Sequence, residues 1–294
     1  MRHRHLTFSS ALCMALLLAA TAGAQKGAAA QDPAKAKSSQ PKKSAKAHAG
    51  KDAPSPQAKA AIESATRLMA SKNAKEIEAG IQSLGLLGTK EAVEPLVARI
   101  HQGLPAELLE AAIVTLMALG QPSAGPALYE LTAHRRAEVR LRAIEAITAI
   151  HPPGAEQALA AALSDADTKV RSAAATGLGD IGAKDALEKL FLALDRGNFE
   201  ASGAIGKVID PSDVRRLASY LGKLPFHKLG PALAQVFQRS DVSESAKLEL
   251  VARLEEVGTK EVKGYLGDLV SSSGQALPQA VSRALLRAMQ EIAD

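Results

Sequence analysis

The chain has 294 residues, 47% of them apolar, yet only 3% are aromatic and none is Trp; abundant Ala and Leu then favour packed helices over a β-sandwich or barrel. The net charge of +5 divides into +2 from residues 1–24 (Arg2 and Arg4), +6 from residues 25–60 (eight lysines against Asp32 and Asp52) and −3 from residues 61–294. The basic character therefore belongs to the N-terminal segments, which argues against a nucleic-acid footprint on the rest of the chain, and no internal apolar run approaches the ~20 residues that a membrane-spanning helix needs.

Arg2, His3, Arg4 and His5 form a positive start, followed by the apolar run Ala11 to Ala20 and then Ala22-Gly23-Ala24, which fits the small-x-small cleavage rule. Residues 1–24 are expected to be a secretory signal peptide cleaved after Ala24. Cys13 lies inside the apolar run and follows Leu12, which speaks against a lipoprotein anchor. It is also the chain's only cysteine, so the mature form is expected to rest on packing, with no disulfide and no thiolate metal site.

Residues 25–54 are rich in Ala, Lys and Pro, and up to Ala53 they contain no Leu, Ile, Val or aromatic residue. Such a segment buries too little apolar surface to offset its chain entropy, which predicts a disordered linker. Its first reading is a solvated spacer. A second is weak electrostatic attachment to an anionic envelope surface.

From Ser55-Pro56, an N-cap followed by a first helical residue, residues 55–294 show internal repeats. Anchors at Gly88, Gly120, His151, Gly182, Ile209 and Gly258 are each expected to end one helix and open the turn to its partner. Four positions before them stand Leu84, Leu116, Ile147, Leu178, Ile205 and Leu254; eight positions after stand Leu96, Leu128, Leu159, Leu190, Leu217 and Leu266. Eight positions before each anchor comes Gly80, Ala112, Ala143, Ala174, Ala201 or Leu250, mostly small enough to let neighbouring helices approach. These spacings place apolar residues on one face of each helix. Two amphipathic helices cannot bury both faces alone, so the hairpins are predicted to stack into an all-α α-solenoid. Phe226, Leu229, Leu233, Val236 and Phe237 break the period and predict an inserted or degenerate helix. The segments at about 56–71 and 277–292 fit capping helices.

These residues resemble the HEAT-like repeat family, particularly the short repeats of the phycobilisome-lyase class. Asp167 to Leu194 carries the resemblance best, through Val170-Arg171, Ala173-Ala174-Ala175, Leu178-Gly179 and Ile181-Gly182; Val139-Arg140 repeats the Val-Arg pair. The resemblance covers about residues 74–271. It implies a binding surface more than an activity. The related deoxyhypusine hydroxylases carry His-Glu pairs as iron ligands, and no His-Glu dipeptide occurs here.

No hydrolase, P-loop, zincin or EF-hand motif is present. Gly177 to Gly182 contains Gly-x-Gly-x-x-Gly, but at the close of an expected helix, where no dinucleotide site would lie. His101 and His134 fall at the ends of second helices and His151 at the end of a first helix, an awkward set for a metal. Asp167 and Asp210 are expected to cap helices, and Asp241 with Glu244 resembles a capping box. Tyr129 and Phe191 are expected to be packing residues.

The unusual cluster is His134 to Arg142, with Arg135, Arg136, Arg140 and Arg142 at a helix N-terminus, where positive charge opposes the macrodipole. Pairing with Glu138, Glu145, Asp165 or Asp167 is one explanation; a partner site built from Arg135, Arg136 and Arg142 is the other. Arg140 shares its register, eleven residues before the anchor, with Arg171, and is expected to belong to an inter-repeat ladder. The expected protein is a non-enzymatic scaffold or adaptor, exported to a bacterial periplasm or beyond. It needs no cofactor and binds a protein partner along its solenoid. The alternative is a lyase-type enzyme or accessory factor related to bilin lyases.

Overall fold

Fifteen α-helices follow one another in a computed structural model that describes residues 55–273 and 277–292. The expected signal peptide (1–24) and linker (25–54) lie outside the described residues. The helices are α1 (Pro56–Met69), α2 (Ala74–Leu87), α3 (Val93–His101), α4 (Ala106–Leu119), α5 (Gly125–Leu131), α6 (Ala137–Ile150), α7 (Ala155–Ala162) and α8 (Thr168–Asp180). They continue as α9 (Leu187–Asp195), α10 (Ala201–Val208), α11 (Val214–Ala218), α12 (Phe226–Gln238), α13 (Glu244–Val257), α14 (Lys260–Ser273) and α15 (Gln279–Glu291). Among the described residues there is no strand, only an isolated bridge between Leu221 and Leu224.

The helices sort into two layers by parity. Each even-numbered helix from α2 to α12 packs on the next even one, making a continuous layer that ends at α14. In the odd layer α1 packs on α3, α11 on α13 and α13 on α15, while α3, α5, α7 and α9 each pack on the even helix that follows. This is an α-solenoid, as the repeat spacing predicts.

The periodic columns are the core. Leu84, Leu116, Ile147, Leu178, Ile205 and Leu254 are all 0% exposed, and so are Leu96, Leu128, Leu159, Leu190, Leu217 and Leu266. Burying each such side chain is worth about 1.5–3 kcal/mol relative to leaving it in water. Small residues set the spacing between neighbours. A Cβ added at Gly206 on α10 would lie 2.4 Å from the Ala232 carbonyl oxygen on α12, a backbone approach that only glycine permits.

Five anchors have the expected left-handed backbone: Gly88, Gly120, Gly182, Gly258 and, as the sole non-glycine example among the described residues, His151 at φ 50°. Ile209 differs. Its φ of −53° and ψ of 135° carry the chain out of α10 in an extended conformation toward Pro211. Asp167 caps α8 as expected, its Oδ1 accepting from the Lys169 and Val170 amides at 2.8 and 3.3 Å. Asp210 likewise accepts from the Ser212 amide at 2.9 Å. The expected capping box at Asp241 is absent: Ser243 caps α13, its Oγ accepting from the Ala246 amide at 3.2 Å. The Asp241 carboxylate is drawn away by Arg239, which binds it at 2.9 and 2.6 Å.

The segment that breaks the period is α12, and it does more than interrupt. It occupies the even layer on α10, so α13 falls in the odd layer against α11 and α14 returns to the even layer against α12. Gly258 therefore ends an odd-layer helix, not the first helix of a hairpin as the anchor register implies. Helices of both layers are amphipathic and both close on a left-handed glycine, so the residue pattern alone does not tell one turn from the other. The terminal helices behave as caps: α15 buries Val281, Leu285 and Ala288 against α13 and α14.

Candidate protein-binding edge

The connections from odd to even helices line one edge of the stack, and the arginine cluster sits in one of them. The structure divides that cluster. Arg140 turns inward, side chain 15% exposed, and grips Asp165 from the following repeat: Nε donates to Oδ2 at 2.8 Å and Nη2 to Oδ1 at 2.7 Å. Its Nη1 also donates to the His134 carbonyl at 2.9 Å. Arg171 repeats the carbonyl contact one unit later, Nη1 donating to the Asp165 and Ala166 carbonyls at 2.8 and 3.0 Å. Both arginines thus tie the start of their even helix to the carbonyls of the connection that precedes it, and Arg140 alone adds an inter-repeat clamp, through Asp165. Hydrogen bonding from Arg140 holds the Asp165 carboxyl below the ordinary Asp range, against the upward pull of burial.

Arg135 and Arg136 are exposed and make no side-chain hydrogen bond or ion pair among the described residues. Arg142 is also exposed, but it pairs with Glu145 on its own helix at 2.8 Å. The structure therefore keeps Arg135 and Arg136 as open cations and gives Arg142 a local partner.

The histidines do not converge. His101 Nε2 lies 3.2 Å from Glu130, while His134 Nδ1 accepts from the Arg136 amide at 3.2 Å. Among the described residues no group of three His, Cys, Asp or Glu side chains is placed to hold a metal. Tyr129 is a packing residue whose hydroxyl donates to the Pro153 carbonyl at 2.6 Å. Phe191 is fully buried, stacks on Tyr220 at 5.9 Å and lies under the Arg216 guanidinium at 3.9 Å. The Tyr220 phenol, desolvated and bonded to Asp195, is pushed up to about 12.

Sequence reasoning missed a groove of about 490 Å³ farther along the same edge, between α7 and α9. Arg171, Lys189, Arg196, Ser164, the half-exposed Leu192 and Asn198 line it, and no carboxylate does. Arg196-Gly197-Asn198 reads in sequence as a plain turn. Only packing shows that the Asn198 side chain is drawn inside.

Residues 126–205, from α5 to α10, match the family model of HEAT repeats. That stretch carries HEAT repeats. No curated protein matches it by sequence. Among solved structures it is similar to the complex of CpcE and CpcF of phycocyanin lyase from Nostoc sp. PCC7120, at 18% identity over 79% of this chain and 94% of that one, with a TM-score of 0.43. It is similar to human deoxyhypusine hydroxylase in complex with glycerol at 15% identity, over 80% of this chain and 97% of that one, with a TM-score of 0.40. A designed armadillo repeat protein in complex with the peptide (KR)4 has 17% identity, coverage of 78% and 99%, and a TM-score of 0.36. Among the described residues no helix is long and apolar enough to cross a membrane.

Proposed function

We propose that this HEAT-repeat chain is an exported, non-enzymatic scaffold that binds a protein partner along the edge formed by its odd-to-even connections. The observation that supports the reading is the division of the arginine cluster. Arg140 and Arg171 are consumed by the stack, whereas Arg135 and Arg136 stand open beside them. Open cations at a helix N-terminus are locally unfavourable, and a desolvated interface arginine can dominate affinity. The signal-like N-terminus supports export, and the absence of cysteine from residues 25–294 suits a bacterial periplasm. The basic linker adds at most a weak attachment to an anionic envelope surface.

Affinity capture from the native envelope tests the reading. Wild-type chain is expected to retain a discrete protein partner, and the double variant Arg135→Ala, Arg136→Ala to lose most of it with unchanged helicity. Undiminished capture by the double variant would remove these residues from the binding surface.

A further inference from the structure

The groove between α7 and α9 combines three features. The first is an unpartnered amide. Asn198 is 6% exposed, and neither its Nδ2 nor its Oδ1 has a hydrogen-bond partner in the structure. A buried polar group left unpaired is costly, so a retained one calls for a partner that brings both a donor and an acceptor. The second is uncompensated charge. Lys189 and Arg196 make no side-chain ion pair or hydrogen bond among the described residues. The carboxylates adjoining them in sequence are turned to the next repeat: Glu188 pairs with Arg216, and Asp195 accepts from the Tyr220 hydroxyl at 2.7 Å. Asp165, near Arg171, is held by Arg140. The third is Leu192, 47% exposed beside these cations, which offers apolar contact.

From these we infer that the groove is a docking site for an acidic peptide segment of a partner protein. The backbone of an extended peptide presents N–H and C=O groups that suit the two orphan atoms of Asn198 once its buried side chain turns out into the groove that the residue lines. Its Asp or Glu side chains reach Lys189 and Arg196, and an apolar side chain covers Leu192. A free phosphate satisfies the cations but brings no donor and acceptor pair shaped like an amide. The volume of about 490 Å³ also falls within the range of roughly 300–1,000 Å³ typical of ligand clefts, well beyond one small anion. This inference rests on the scaffold reading above and gives it a recognition chemistry: charge steers the partner and the buried amide fixes its register.

The test selects displayed random peptides on the full chain, then measures the winners by fluorescence anisotropy. Enrichment in Asp and Glu is expected, with binding weakened at least about tenfold by Lys189→Glu with Arg196→Glu. Asn198→Leu separates recognition from folding. Removing an orphan amide should leave the unfolding midpoint unchanged or raised, while peptide affinity falls several-fold. Enrichment of basic or purely apolar peptides, displacement of the peptide by equimolar inorganic phosphate, or indifference to all three substitutions overturns the proposal. If acidic peptides bind but are lost only on Arg135→Glu with Arg136→Glu, the groove is wrong and the scaffold reading stands. If no peptide is enriched while envelope capture persists, the groove again fails alone; loss of both removes the scaffold reading as well.

Discussion

Arg140 and Asp165 join consecutive repeats through a two-pronged pair, 2.8 and 2.7 Å long, with only 15% and 11% of their side chains exposed. Removing one partner of such a pair strands the other where water reaches it poorly. Arg140→Ala is therefore expected to cost about 2–3 kcal/mol, somewhat less than breaking a fully buried pair. Arg135→Ala with Arg136→Ala, two exposed and unpaired side chains, should stay within about 0.5 kcal/mol per site. Equilibrium urea unfolding compares them; equal losses contradict the division of the cluster into a clamp and an open surface.

The same pair predicts a pH dependence. The Asp165 pKa is lower in the folded chain than in the unfolded one because Arg140 donates to its carboxylate. The folded form then binds fewer protons, so the stabilisation is complete above the ordinary Asp value of about 3.9 and is lost as the pH falls through it toward the depressed folded value. Asp241, lowered to about 2 by Arg239, contributes in the same direction. Asp165→Asn should lower stability at neutral pH and flatten its fall in acid, read as urea midpoints across the acid range. An unchanged acid slope would assign the effect elsewhere.

How far the fold is legible in the sequence can be judged from its columns. Leu178 and Leu190 lie at fixed distances from Gly182, and both are fully buried; one-sided burial imposes a period that survives in the residue pattern. Layer identity is not encoded that way, and Gly258 shows it: α13 lies in the odd layer although its pattern matches that of a first helix. The candidate site was legible in part. Arg140 could be assigned to the ladder because Arg171 repeats it, whereas Asn198 carries no mark in sequence, since its burial without a partner arises only from packing around the α9–α10 turn.

Core truncation should follow exposure. Leu178→Ala is expected to cost about 2–5 kcal/mol through lost burial and the cavity left behind. His101→Ala, at a position whose side chain is 50% exposed and paired only with the more exposed Glu130, should cost at most about 1 kcal/mol. Thermal unfolding followed by circular dichroism separates the two. A loss at His101 matching that at Leu178 would contradict the periodic assignment of the core.

His151 gives a prediction of opposite sign. It ends α6 at φ 50° and ψ 55°, a left-handed conformation that costs a side chain with a Cβ about 1–2 kcal/mol. The equivalent positions in neighbouring repeats, Gly120 and Gly182, meet the same demand without that strain. The His151 side chain is exposed and makes no hydrogen bond or ion pair among the described residues, so little is lost with it. Glycine does give up more freedom on folding, which offsets part of the gain. His151→Gly is therefore expected to stabilise the chain by roughly 0.5–1 kcal/mol, while Gly182→Ala should destabilise it by a similar or larger amount. Urea midpoints for both variants decide the matter, and a loss of stability in His151→Gly would mean that the imidazole makes a contribution its exposed position does not explain.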